Sequence, residues 1–144
     1  RVPTIATWPA KIKAGTQSNH PSVFYDYYAT VCDILKVVPP YPIDGISYYP
    51  TLLDEPQKNH DYLYWEFPSY GGQQAIRMGS WKGLKKDLFK GDSPLQLYDL
   101  SKDPKELNDL AAAHPEIVKK MEKFLKEAHT TATLEKFRIP VLDQ

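Results

Sequence analysis

Between Asp61 and Asp99 the chain reads as short β-prone runs punctuated by glycine turns, a pattern few folds accept. Tyr62 to Phe67 is rich in aromatic residues, which suit the pleated, half-buried setting of a strand. Gly71-Gly72 separates it from Gln74 to Met78, Gly79-Ser80 turns into Trp81 to Leu84, and Leu95 to Asp99 supplies a fourth run. Short strands joined through Gly-containing turns predict an antiparallel meander. Such a sheet has to bury one face, and a cover follows it in the chain. Pro115 to Ala128 puts Ile117, Val118, Met121, Phe124, Leu125 and Ala128 on one side of a helix, with Lys119, Lys120, Glu122, Lys123 and Lys126 on the other. Glu116–Lys120 and Glu122–Lys126 stand at the supportive i,i+4 spacing. The tail from Thr130 to Gln144 shows no period.

The earlier part of the chain has a different texture. Val2 to Trp8 is β-rich with few charges, which predicts a strand buried on both faces and ended by Pro9. Lys11 to Asn19 reads as a polar turn around Gly15. A helix is expected from about Pro21, capped by Ser18 or Asn19 and stopped by Pro39-Pro40. Phe24, Tyr27, Tyr28, Val31, Ile34 and Leu35 give it a wide apolar stripe. Pro42 to Leu53 reads as an irregular loop with a turn at Asp44-Gly45. The expected class is therefore α+β: a strand–helix piece over residues 1–55, then a four-stranded antiparallel sheet with a packed C-terminal helix over residues 56–144. The opening Arg-Val-Pro carries neither an initiator Met nor a signal peptide, so the start reads as processed or truncated. A strand beginning there would be an exposed edge, which predicts a dimer through that strand.

Charge and cysteine content exclude several functions. Lys plus Arg and Asp plus Glu are 18 each, so nothing electrostatic favours nucleic acid or an anionic membrane surface. Lys82 to Lys90, interrupted by Asp87 and Leu residues, reads as a solvated hairpin. No run approaches the roughly 18 apolar residues of a membrane helix. The single cysteine, Cys32, excludes an internal disulfide and reads as a buried, inert thiol in mid-helix. His20, His60, His114 and His129 form no metal-site spacing. His114 suits a helix start, His129 a helix C-terminus and His60 a polar turn, while His20 either is structural or faces a cleft. Asp44, Asp54 and Asp61 are scattered near turns, and no Gly-rich phosphate loop precedes a helix. The residues alone contain no catalytic constellation.

One cluster stands apart. Trp65, Glu66, Phe67, Tyr70, Gln73, Gln74 and Arg77 gather aromatic, acidic, amide and guanidinium groups around the Gly-Gly turn. Flat rings stack on sugars, and Gln, Glu and Arg bond hydroxyls and anions. The other reading of the same residues is a hairpin with a partly exposed aromatic face.

Taken in order, these segments resemble the sulfatase family. Arg1-Val2-Pro3 and Trp8-Pro9 are similar to the end of that family's Glu-Gly-Gly-Ile-Arg-Val-Pro stretch and the Trp-Pro after it. Lys11 to Gly15, Asn19-His20-Pro21-Ser22, Asp26 and Thr30 continue the likeness, with Ala29 where a Pro is usual. Asp44-Gly45-Ile46-Ser47, Pro50 and Leu52-Leu53 follow the Asp-Gly-x-Ser…Pro-x-Leu loop. Tyr64-Trp65-Glu66, Arg77 to Lys82, and Leu97 to Leu100 with Asp103-Pro104, Glu106, Asn108 and Leu110-Ala111 complete it.

The resemblance implies the C-terminal portion of a sulfuric ester hydrolase with an alkaline-phosphatase-like α/β domain and a smaller C-terminal subdomain. It implies a formylglycine nucleophile made from a Cys-x-Pro-Ser-Arg motif, and calcium bound by Asp and Asn residues. That motif is absent here, so no catalytic or metal residue is assigned, and the chain is expected to be inactive alone. The subdomain's place beside the active-site mouth implies substrate contacts from Trp65, Glu66, Tyr70, Gln73, Arg77 and His20. The remainder of the catalytic domain is the implied partner, a sulfated sugar or aryl sulfate the implied substrate, and the periplasm or exterior the implied location. Pro68 and Ser69 stand where many relatives carry a His-containing loop, so leaving-group preference does not carry over. A non-catalytic carbohydrate-binding module is the alternative, and it would not need Val2 to Trp8 buried on both sides.

Overall fold

The computed structural model describes residues 2–143. Arg1 of the Arg-Val-Pro motif and Gln144 at the end of the tail lie outside them. The chain divides into two compact units, Arg1–His60 and Asp61–Gln144.

In the second unit the glycine-punctuated pattern becomes four strands: β1 (Leu63–Phe67), β2 (Gln73–Met78), β3 (Trp81–Lys85) and β4 (Gln96–Asp99). They lie side by side in chain order, every pair antiparallel. The expected helix, α3, forms over Pro115–Ala128, with proline in its first turn, where a missing N–H does no harm. It lays Met121 and Leu125 against Ile76, Leu95 and Leu97. Ile76, Leu97 and Met121 are fully buried. Gly83 makes this packing close, because a Cβ there would stand 2.8 Å from Met121 Sδ and 2.9 Å from Ile76 Cγ2. The lysine-rich run from Lys82 to Lys90 is not a hairpin. It holds the end of β3 and a 3-10 turn, Leu88–Lys90, whose Leu88 is buried. The apolar Leu88 drives that turn inward, and Lys85 pairs with Asp92 at 2.5 Å.

The first unit departs further from expectation. Residues 2–8 form no strand, and Val2 and Ile5 are exposed. A strand's hydrogen bonds lie on its neighbours, and among the described residues none offers itself. Instead Trp8 O accepts bonds from Lys11 N and Ile12 N, and its ring stacks on Tyr49 at 6.3 Å.

Helix α1 runs Asp26–Leu35, starting later than Pro21. The cause is Asp26. Its Oδ2 accepts the Val23 N–H at 2.9 Å and closes a tight turn before the first helical residue. Ser18 accepts from His20 N and caps nothing. Lys36, in the left-handed region, ends the helix ahead of Pro39, with Val37 N bonding Cys32 O. The aromatic stripe faces outward: Phe24, Tyr27, Tyr28 and Leu35 are exposed, and the buried side carries Asp26, Ala29, Thr30 and Cys32. The loop after α1 contains a single helical turn, α2 (Tyr49–Leu52), which accepts Pro50 because it lies in the first turn.

The buried polar side of α1 explains the Asp-Gly-x-Ser loop. Asp26 Oδ1 accepts Ile46 N at 2.9 Å and meets His60 Nε2 at 2.7 Å. Thr30 Oγ1 accepts Tyr48 N, and Ser47 Oγ donates to Asp33 Oδ2 at 2.8 Å. Gly45 is obligatory, since a Cβ there would fall 2.3 Å from Tyr25 O. The motif is a clamp that fastens a loop to a helix.

Candidate functional site

Pleating sorts the clustered residues of the β1–β2 hairpin onto two faces. Trp65 lies opposite Ala75, Phe67 opposite Gln73 and Leu63 opposite Arg77, so these side chains share one face. Tyr64 and Glu66, opposite Ile76 and Gln74, lie on the other, beneath α3. On the first face Trp65 and Phe67 are 40% and 49% exposed, far more than an aromatic pair sheltered by its own domain. Tyr70, 82% exposed at the turn, stands 6.0 Å from Phe67 with its ring tilted. Arg77 Nε donates to Gly79 O, which fixes the guanidinium while leaving its other N–H groups to bond elsewhere.

The turn carrying Tyr70 is not loose. Tyr70, Gly71 and Gly72 are all left-handed, and the carbonyls of Gly71 and Gly72 accept Phe89 N and Leu88 N at 2.9 and 3.1 Å. The 3-10 turn after β3 thereby pins the tip of the hairpin.

Glu66 does not join Trp65, Gln73 and Arg77. Its Oε2 accepts the Tyr64 hydroxyl at 2.5 Å and meets His129 Nδ1 at 2.8 Å. Gln74 donates to Tyr64, and His129 Nε2 meets Asp143 Oδ1 at 3.0 Å. Burial, then the bond to Glu66, pushes the Tyr64 pKa well above its ordinary value. The reading of the residues missed this network entirely, because its members lie far apart in the chain. His20, half-buried, lies in the first unit and does not line the depression of about 500 Å³ there, which Tyr25, Tyr27, Tyr28 and Tyr41 help to form.

Among the described residues no three His, Cys, Asp or Glu side chains gather as a metal site, so no residue here is matched to calcium. Cys32 is buried, as expected of an inert thiol. No described helix is long and apolar enough to cross a membrane.

What the hairpin face can do is stack planar rings against a ring-shaped ligand and offer amide and guanidinium donors beside it. A family described as N-sulphoglucosamine sulphohydrolase, C-terminal, matches residues 1–131. An N-acetylgalactosamine-6-O-sulfatase of Bacteroides thetaiotaomicron is 31% identical over 90% of this chain and 27% of its own length. Human arylsulfatase K is 30% identical over 81% of this chain and 23% of its own. A solved structure described under the metabolism of multiple glycosaminoglycans by Bacteroides thetaiotaomicron aligns with a TM-score of 0.64 and 29% identity, covering 83% of this chain and 27% of that one. The chain thus spans about a quarter of the length of the curated relatives it matches. It belongs to the sulfatase family and corresponds to that family's C-terminal region.

Proposed function

We propose that this chain is the C-terminal region of an exported sulfuric ester hydrolase acting on sulfated carbohydrate, and that it supplies a substrate-contacting face and no catalytic group. The observation that carries the reading is the open side of the β1–β2 hairpin, where exposed Trp65, Phe67 and Tyr70 stand beside Gln73 and Arg77. Two relatives, matched over 27% and 21% of their own length, are named N-acetylgalactosamine-6-O-sulfatase and N-acetylglucosamine-6-O-sulfatase. Rings of Trp65 and Tyr70 would cover the apolar face of a sugar, Gln73 would bond its hydroxyls, and Arg77 would meet a sulfate. Formylglycine and calcium, implied by the family, belong to the remainder of the enzyme, and no step is assigned to them through residues of this chain.

Two measurements test the proposal. The 144-residue chain alone should not hydrolyse an aryl sulfate, whereas the enzyme containing it should. Within that enzyme, Trp65→Ala and Arg77→Ala should each raise KM for a sulfated disaccharide about tenfold, a loss of about 1.4 kcal/mol, with kcat little changed. Unchanged KM in both variants would remove the hairpin from the substrate side, and turnover by the chain alone would place catalytic groups within it. Self-association belongs to the proposal as well, through the exposed Val2 to Trp8 segment pairing with a second copy. Light scattering should then give twice the monomer mass, and a monomer at all concentrations would discard it.

A further inference from the structure

The buried network beneath α3 has a geometry that fixes a protonation state. His129 closes α3, and its side chain is 13% exposed. Nδ1 lies 2.8 Å from Glu66 and Nε2 lies 3.0 Å from Asp143, so both ring nitrogens face carboxylate oxygens. A neutral imidazole has one N–H and can satisfy one of them; only the imidazolium donates to both. The two carboxylates belong to elements with no other reason to be together. Glu66 is on β1, and Asp143 lies in the tail, where it also accepts Thr131 Oγ1 at 2.6 Å. Ile139 on that tail is fully buried, and its Cγ2 lies 3.5 Å from where a Cβ on Gly72 would stand. The tail therefore seats a methyl group against the backbone of the turn that carries Tyr70.

We propose that His129, gripped between Glu66 and Asp143, is a pH-sensitive clasp that holds the tail segment 139–143 against the Tyr70–Gly72 turn. The surroundings of the ring bear this out. Tyr64 donates to the same Glu66 oxygen, which leaves His129 as the ionic partner of that carboxylate. The groove beside the ring carries Lys85, Asp92, Glu122, Lys123 and Lys126. Of these Lys85 is held by Asp92, and Lys123 by Glu127. Arg138 acts on Asp143 through space.

Burial lowers the His129 pKa, and the bonds and charges of Glu66 and Asp143 outweigh it, so the net displacement is above the ordinary 6.5. A raised folded value means the clasp is fully formed below pH 6.5 and is lost as pH rises through that higher value. Bonds from Thr131 and His129 hold Asp143 below its ordinary 3.8, so its share is present above that pH and lost as pH falls through the lowered value. The device does not depend on what the hairpin binds.

Nuclear magnetic resonance on the whole chain tests it, following the His129 ring, the Ile139 methyls and the Leu142 amide from about pH 5 to about pH 9. The Ile139 signals should shift together with the ring, at a midpoint above 6.5, and protection of the Leu142 amide should fall about tenfold across that step. Asp143→Asn should lower the ring's midpoint and free the tail at every pH, while the Ile76 amide stays protected and certifies the fold. His129→Gln should abolish the step. If Ile139 stays seated while His129 titrates, or if Asp143→Asn changes neither the midpoint nor the tail, the clasp does not exist.

Discussion

Asp26→Ala is expected to destabilise the first unit by about 3–5 kcal/mol. The side chain is 1% exposed, and its two oxygens hold three partners: the Val23 N–H, the Ile46 N–H and His60. Alanine would leave all three turned toward a space that water reaches poorly, and each buried donor left unmade costs about 1–3 kcal/mol. The loop Gly45–Tyr48 would then lose its hold on α1, and the helix would lose the turn that precedes it. Asp26→Asn keeps one acceptor oxygen and should cost roughly half as much. Native-state hydrogen exchange at Thr30 and Cys32 reads the loss directly. An effect below about 1 kcal/mol would mean that the carboxylate is a passenger and that apolar packing holds the unit.

Ile76→Ala should cost the second unit about 3–4 kcal/mol. Ile76 is fully buried between Leu97 on β4 and Met121 on α3, so its lost methyl groups leave a hole at the centre of the sheet–helix contact. The opposite insult is available one strand away. Gly83→Ala inserts a carbon within 3.1 Å of Met121, Ile76 and Leu95, and it should cost about 1–3 kcal/mol by forcing α3 outward. Urea midpoints followed by circular dichroism read both losses, since each substitution lowers the midpoint of the same unit, the first through a cavity and the second through strain. If Gly83→Ala is neutral, α3 rides loosely on the sheet.

The second unit was legible in the sequence and the first largely was not, for one physical reason. The strands β1 to β4 and the helix Pro115–Ala128 are announced by local signals: aromatic runs, glycine turns and a 3.6-residue period. Val2 to Trp8 carries the composition of a buried strand, yet a strand is made by its neighbours, and the described chain gives it none. The start of α1 was misplaced because a side-chain bond, Val23 to Asp26, overrides the preference of Pro21 for a first helical turn. In the hairpin the cluster was visible as composition, but strand alternation puts Glu66 on the other face from Trp65, and Glu66 answers to His129, 63 residues further on. No window of a sequence contains that pair.

The wiring of the two units also orders their assembly in time. In the meander every strand bonds the next one in the chain, through connections of two to ten residues, so little chain entropy is spent before contacts form. Among its described residues the first unit has no such ladder. It closes through Asp26 reaching Ile46 and His60, separations of 20 and 34 residues, and each end of those bonds has to be found across a slack loop. The sheet can therefore be complete while the first unit is still searching, with the Gly45–Tyr48 loop not yet fastened to α1.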